Sequence, residues 1–175
     1  VPGAMAAEAG RAGCCTGCSP DASVMSMAYA ELACVSNFSF LRGASHPEEL
    51  AQRAHELGLA ALALADVNSL AGVVRAHQAA KEAGLRFIPG VRLELADAIA
   101  LIALPTDRAA YGRLSRLVTL GRRRAPKGEC HLALDDVLTH GEGQVFIALE
   151  IPPDGLRRLV ERFPGNVHLA VWHRL

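Results

Sequence analysis

The sequence predicts an α/β fold with mainly parallel strand pairing, and three observations predict it. From residue 29 onward, short apolar runs alternate with amphipathic stretches of helical length. The run Ala60–Ala65 is apolar at every position, as in a strand covered on both faces. The first two helical stretches each close on a glycine, Gly58 and Gly84, a common C-terminal stop. Strand–helix–strand alternation of this kind implies right-handed crossovers between parallel neighbours.

The elements follow in order. Ala30–Val35 is a short apolar strand, and Ser36–Ser45 is a polar and aromatic loop. Ser45 is placed to cap a helix with Pro47 in its first turn, and Glu48 completes a capping-box pattern. That helix runs to Leu57, with Leu50, Ala54 and Leu57 on one face. Strand Ala60–Ala65 leads into a turn over Asp66–Ser69 and then a helix over Leu70–Ala83. Arg86–Ile88 is a third strand, ended by Pro89-Gly90. Val91–Leu95 and Ala98–Leu104 form a strand pair joined at Ala96-Asp97. Asp107–Arg124 is a long helix with Leu114, Leu117, Val118 and Leu120 as its buried stripe, broken by Pro126-Lys127-Gly128. A short helix Leu134–Thr139, a strand Val145–Leu149, a helix Asp154–Phe163 and a strand Val167–Trp172 complete the series. The last strand lacks a covering helix, so the chain is expected to form the front part of a larger α/β domain. Val167–Trp172 would then be an open edge that favours aggregation or dimerisation.

Composition narrows the function classes. A length of 175 residues suits one domain or part of one. With 51% apolar and 21% charged residues the chain can offset its ordering entropy. Aromatics are only 5%, so Ala, Leu and Val must fill the core. Eighteen basic residues balance eighteen acidic ones, so attraction to nucleic acid would need a local patch. No membrane is expected as a partner: the longest apolar runs, Leu59–Ala65 and Ala98–Pro105, fall far short of the ~20 residues of a spanning helix. Cys14, Cys15, Cys18, Cys34 and Cys130 are odd in number and unevenly spaced, which points to the reducing cytoplasm. Residues 1–26 are rich in Gly, Ala, Pro, Ser and Cys, without periodicity. They are expected to be disordered, or upstream sequence ahead of a true start at Met25 or Met27. The domain proper is residues 27–175. Cys14-Cys15-x-x-Cys18 lacks the two further ligands a zinc knuckle needs.

In parallel α/β folds ligands gather at the carboxyl ends of strands. Here those ends offer Ser36, Asn37 and Ser39, then Asp66 and Asn68, then Arg92, and later Glu150. A catalytic two-metal site wants several His and carboxylate ligands per ion, and this set does not supply them. Asp66 is expected as a turn or cap residue, or as a partner of Arg92. His46, His55, His77, His131, His140, His168 and His173 lack matched second ligands. Gly-x-Ser-x-Gly, His-Glu-x-x-His and a Gly-rich phosphate loop are absent. The strongest charge feature is Arg122-Arg123-Arg124, with Arg113, Arg116 and Lys127 nearby. Such a cluster can contact phosphates, or can be a solvated helix end that complements the macrodipole.

Several stretches carry a family resemblance. They are Tyr29-Ala30-Glu31-Leu32, Ser36-Asn37-Phe38-Ser39-Phe40-Leu41-Arg42-Gly43-Ala44-Ser45-His46-Pro47-Glu48-Glu49-Leu50, and Ala61-Leu62-Ala63-Leu64-Ala65-Asp66. Asn68-Ser69-Leu70-Ala71-Gly72-Val73-Val74-Arg75-Ala76-His77, Tyr111-Gly112-Arg113-Leu114-Ser115 and Arg122–Gly128 continue it. Together they resemble the N-terminal PHP (polymerase and histidinol phosphatase) domain of bacterial C-family DNA polymerase alpha subunits, nearest the error-prone, ImuC-type branch.

The resemblance implies a PHP-type distorted (β/α) barrel, apparently truncated. Metal-binding members of the family carry His-x-His after the first strand, Asp-His at the second and Glu at the third. The corresponding positions here are Ala33 and Val35, Asp66 and Val67, and Arg92. Only Asp66 keeps a ligand. Methyl and isopropyl groups have no lone pair to donate, and Arg92 would repel a cation. The expectation is a metal-free, cofactor-free and catalytically silent module of an error-prone DNA-directed DNA polymerase, which serves damage-induced mutagenesis and translesion synthesis. Nucleotidyl transfer in that family rests on a palm domain downstream. Expected partners are the rest of the polymerase chain, DNA and mutagenesis accessory proteins, with Arg122, Arg123, Arg124 and Lys127 as candidate contacts. A free-standing PHP metal-dependent phosphoesterase and a non-functional gene remnant are the alternatives.

Overall fold

A computed structural model describes residues 29–171. The expectations for residues 1–26, for both candidate start methionines, and for Trp172 and His173 lie outside these residues. The element order is β1 (Ala30–Cys34), α1 (Pro47–Glu56), β2 (Ala61–Val67), α2 (Val73–Ala83), β3 (Arg86–Glu94) and β4 (Ala100–Pro105). Then follow α3 (Arg108–Arg124), α4 (Leu134–His140), β5 (Gln144–Glu150), α5 (Pro153–Arg162) and β6 (Val167–Leu169). The six strands form one curled, half-barrel sheet in sequence order. β1, β2 and β3 pair in parallel, and so do β5 and β6. Only β4 runs antiparallel to its neighbours, because the short Ala96-Asp97 connection makes a hairpin and not a crossover.

Three apolar clusters hold the layers together. Val91, Leu93, Leu101 and Phe146 face α3, α4 and α5 on the helix side of the sheet. Leu62 packs under α1 and α2 through Ala51, Ala54 and Ala80, whose small side chains let both helices sit close. Ala63, Ala65, Ile102 and Leu104 lie on the inner face, with Ile88, Val145, Ile147 and Leu149 half-buried beside them. Strand alternation therefore assigns even-numbered β2 residues to the helix side and odd-numbered ones to the inner face.

Several boundaries differ from the sequence expectation, each for a local reason. The N-cap of α1 is His46, not Ser45, because the Ser45 carbonyl accepts from Asn37 N–H at 2.9 Å and stays in the loop. The reciprocal bond of the capping box then comes from Glu49, not Glu48, whose carboxylate accepts from His46 N–H at 2.9 Å. Leu57 lies beyond the last full turn and is 59% exposed; Ala54 is buried as expected, and Ala51 joins it on the buried face. α2 begins at Val73, because Ser69 Oγ accepts from Ala71 N–H and holds the preceding residues in a turn. β2 runs on through Asp66 and Val67, which are strand residues and not part of a turn.

Pro89-Gly90 does not end β3. The strand runs through it, with Leu64 of β2 opposite Pro89. On the other side Val91 pairs with Ala103, so Pro89 would next meet Pro105. Neither residue has an N–H, and the β3–β4 ladder starts only at Val91. Gly90 sits in a tight spot: a Cβ there would come within 2.6 Å of the Leu104 side chain, which would have to move, and 3.1 Å of Leu64 O. In α3, Asp107 caps the first turn by accepting from Ala110 N–H at 2.7 Å. Leu120 is only half-buried, and Gly121 takes the buried position against Leu132. β6 is shorter than expected. It pairs only with β5 among the described residues, and Leu169 at its end and Val171 beyond it are exposed.

Candidate functional site

The carboxyl ends of β1, β2 and β3 meet at one rim of the sheet. Val67 of β2 pairs with Arg92 of β3, and Asp66 pairs with Val91. Asp66 thus shares the helix side with Leu62, while Val67 and Arg92 share the inner face. Asp66 and Arg92 point away from each other, so the expected pairing between them does not form. Asp66 also does not act as a turn or cap residue.

Instead, Asp66 is the hub of the loop that follows β1. It is 1% exposed. Its Oδ1 accepts from Ser36 N–H at 2.8 Å and from Ser39 Oγ at 2.7 Å, and its Oδ2 accepts from Ser36 Oγ at 2.7 Å. Ser39 Oγ in turn accepts from Val67 N–H at 2.9 Å, and Ser36 Oγ from Phe38 N–H at 3.2 Å. A buried carboxylate is tolerable because three donors replace its water shell.

Arg92 finds a different partner. Its Nε lies 3.2 Å from Oε1 of Glu94, an ion-pair contact without hydrogen-bond geometry. Arg42, from the loop after β1, pairs with the same carboxylate through both guanidinium nitrogens, Nη2 to Oε2 at 3.0 Å. One carboxylate therefore sits between two guanidiniums at the rim. Asn68, with φ of +46°, stitches the β2 and β3 ends together. Its N–H donates to Arg92 O at 2.9 Å, its Nδ2 donates to Glu94 O, and its Oδ1 accepts from Glu94 N–H. Asn68 O receives two bonds from Arg122 of α3, at 3.1 and 2.9 Å.

The five positions named by family resemblance are thus divided. Val67 and Arg92 are neighbours across a ladder, and Asp66 is behind them. Ala33 is exposed on β1, its N–H bonded to Glu31, and Val35 is half-buried just past the strand. Among the described residues no group of three or more His, Cys, Asp or Glu is placed to hold a metal ion. Glu150 is exposed at the end of β5, away from these groups in the ladder order. Sequence reasoning missed Arg42 and Glu94. They stand 52 positions apart, and no spacing rule links a loop arginine to a strand glutamate at that distance.

The basic run is also divided. Arg122 turns inward to the Asn68 carbonyl, and Arg124 pairs with Asp136 at 2.6 Å. Burial opposes ionisation of Asp136, but the Ala133 N–H and Arg124 outweigh it and hold the carboxyl below its usual value. Arg123 and Lys127 remain exposed.

Cys34, on β1, borders the hub. Burial, followed by the negative charges of Glu31 and Asp66, pushes its thiol up to about 11. The reactive species is the thiolate, and only about one part in a thousand is ionised at pH 8. Labelling of Cys34 by iodoacetamide, followed by peptide mass mapping, is expected to be slow at pH 8. It should quicken about tenfold per pH unit up to the high-pH plateau. Fast labelling at pH 8 would contradict the buried, acid-flanked environment.

The model of the PHP domain family matches residues 31–160. The chain belongs to the PHP domain family. Curated relatives of this PHP domain are named error-prone DNA polymerases. One from Caulobacter vibrioides is 51% identical over 149 residues, 82% of this chain and 14% of that protein. One from Dechloromonas aromatica is 52% identical over 152 residues, 82% of this chain and 15% of that protein. The chain thus spans about one seventh of the length of these relatives. Among solved structures, the fold is similar to a protein from Bifidobacterium adolescentis named as a metal-dependent phosphoesterase. The TM-score is 0.66 at 17% identity, covering 85% of this chain and 78% of that one. An amidohydrolase from Chromobacterium violaceum gives a TM-score of 0.54 at 19% identity, covering 81% and 76%. Likeness at these identities concerns the fold alone. No described helix is long and apolar enough to cross a membrane.

Proposed function

We propose that residues 27–175 serve as the PHP module of an error-prone DNA polymerase, with an architectural role and no chemistry of their own. The identity to named error-prone polymerases over four fifths of the chain supports the polymerase assignment. The observation that carries the architectural role is the state of Asp66. The one retained ligand type is buried, lies on the helix side of β2 and not on its inner face, and already accepts from three donors. The rim itself is held by the Arg42–Glu94–Arg92 network. Residues of this kind do not fit a divalent cation, which wants unprotonated His or free carboxylate donors.

In this reading the ion network and the Asp66 hub tie the β1, β2 and β3 ends together, the task that bound ions would otherwise perform. The module would pack against the rest of the polymerase in the cytoplasm and lie near DNA and mutagenesis accessory proteins. Nucleotidyl transfer would belong to other parts of such a polymerase. Metal analysis of the purified chain, after incubation with zinc or manganese and desalting, tests the reading. About a tenth of an equivalent or less is the expected result, because the donors a tightly held ion needs are missing. One or more equivalents retained, and lost on Asp66→Asn substitution, would overturn it.

A further inference from the structure

Positive charge in this neutral chain is concentrated in one place. Residues 108–127 hold seven basic side chains and no acidic one, leaving eleven basic against eighteen acidic elsewhere. Within this segment Arg113 and Arg122 bond to backbone carbonyls, and only Arg124 meets a carboxylate, that of Asp136. Arg116 and Arg123 have no hydrogen-bond or ion-pair partner among the described residues, and both are exposed. They are seven residues apart, two turns of α3, so they project from one face about 10 Å apart along the axis.

These two arginines line a groove of about 650 Å³ together with Arg124 and His140, with Leu120 as its one large apolar side chain. No carboxylate lines it. The hydroxyls of Ser115 and Thr119 donate to Tyr111 O and Ser115 O, so the groove's free donors are guanidiniums and the His140 imidazole. Guanidinium forks match phosphate oxygens in pairs. A protein partner would call for an apolar anchor site with more than one leucine at its floor.

We infer that this groove binds the phosphate backbone of DNA, with Arg116 and Arg123 as its principal contacts. This deepens the polymerase reading, on which the choice of DNA over other polyanions rests. It relocates the contact from the Arg122–Arg124 run, two members of which are engaged elsewhere, to one helix face.

Fluorescence anisotropy of the 175-residue chain with labelled 20-mer DNA, single-stranded and duplex, tests it across a salt series. Binding is expected to weaken with salt, with a slope of about −0.9 per phosphate for duplex and about −0.7 for single strands. The double variant Arg116→Gln, Arg123→Gln should lose about tenfold or more in affinity and reduce the slope by nearly two contacts. A charge-matched control, Arg53→Gln with Arg157→Gln, should keep both. Absence of DNA binding, or an equal loss in the control, would overturn the inference. So would competition by poly-glutamate as effective per charge as unlabelled DNA, which would indicate an acidic protein surface. Metal retention by the chain would sink the architectural reading and leave this result untouched.

Discussion

Asp66→Ala is expected to destabilise the chain by about 4 kcal/mol, measured by urea unfolding followed by circular dichroism. Removing the carboxylate strands Ser36 N–H, Ser36 Oγ and Ser39 Oγ at a site that is 1% exposed. A buried donor left unpaired costs about 1–3 kcal/mol, and hydrogen bonds to a charged acceptor are the stronger kind. Domains of this size have only about 5–15 kcal/mol in total, so the variant should sit close to unfolding under mild conditions. Asp66→Asn keeps the shape and one acceptor, and should lose about half as much. Ser36→Ala and Ser39→Ala should each cost about 1–2 kcal/mol, and each should add little on top of Asp66→Ala because the bond is already gone. A loss under about 1 kcal/mol for Asp66→Ala would show that the hub does not hold the loop.

The Asp66 case also shows what could be taken from the chain alone. β2 was legible because a run of six apolar residues has few other uses, and α3 because Asp107 and the Leu114–Leu117–Val118 stripe mark its start and buried side. The side on which Asp66 lies was not legible. Placing the strand end before Asp66 made it a turn residue. Carrying the strand two residues further fixes its face by alternation and separates it from Arg92. Pro89 posed the opposite problem. A proline argues against a strand interior, yet here the missing N–H faces the part of the β3–β4 seam that a second proline, Pro105, also leaves unpaired. Local rules cannot anticipate that two defects share one gap. The residue types at Ala33, Val35, Val67 and Arg92 could be read directly, but the pairing of Arg42 with Glu94 could not, since it depends on how the 36–45 loop folds back.

That loop makes Gly43→Ala the second change of large expected effect. A Cβ at position 43 would lie 2.2 Å from Ser36 O, 2.5 Å from Ser36 C and 2.8 Å from Val35 O, all of them backbone atoms. The obstructing segment cannot easily yield. Ser36 is held by two bonds to Asp66, and Asn37 N–H is bonded to Ser45 O. Gly43 and Arg42 both donate their N–H groups to Ser39 O, so the loop doubles back tightly at this point. Leu41 already occupies the left-handed region at φ of +61°, which leaves little freedom to re-route. An alanine must therefore open the turn, drawing Ser39 from Asp66 and Arg42 from Glu94 together. The expected cost is about 3 kcal/mol or more, above the ordinary range for an added methyl because backbone is displaced. Gly112→Ala is the control. It lies inside α3 with no atom within 4 Å of the new Cβ, and should stabilise by up to about 1 kcal/mol through helix propensity. Combined with Asp66→Ala, Gly43→Ala should cost much less than the sum, because both remove the same anchored loop. Thermal melts of the five chains decide it: equal melting points for wild type and Gly43→Ala, or full additivity with Asp66→Ala, would mean the loop is not seated through Ser36 as described.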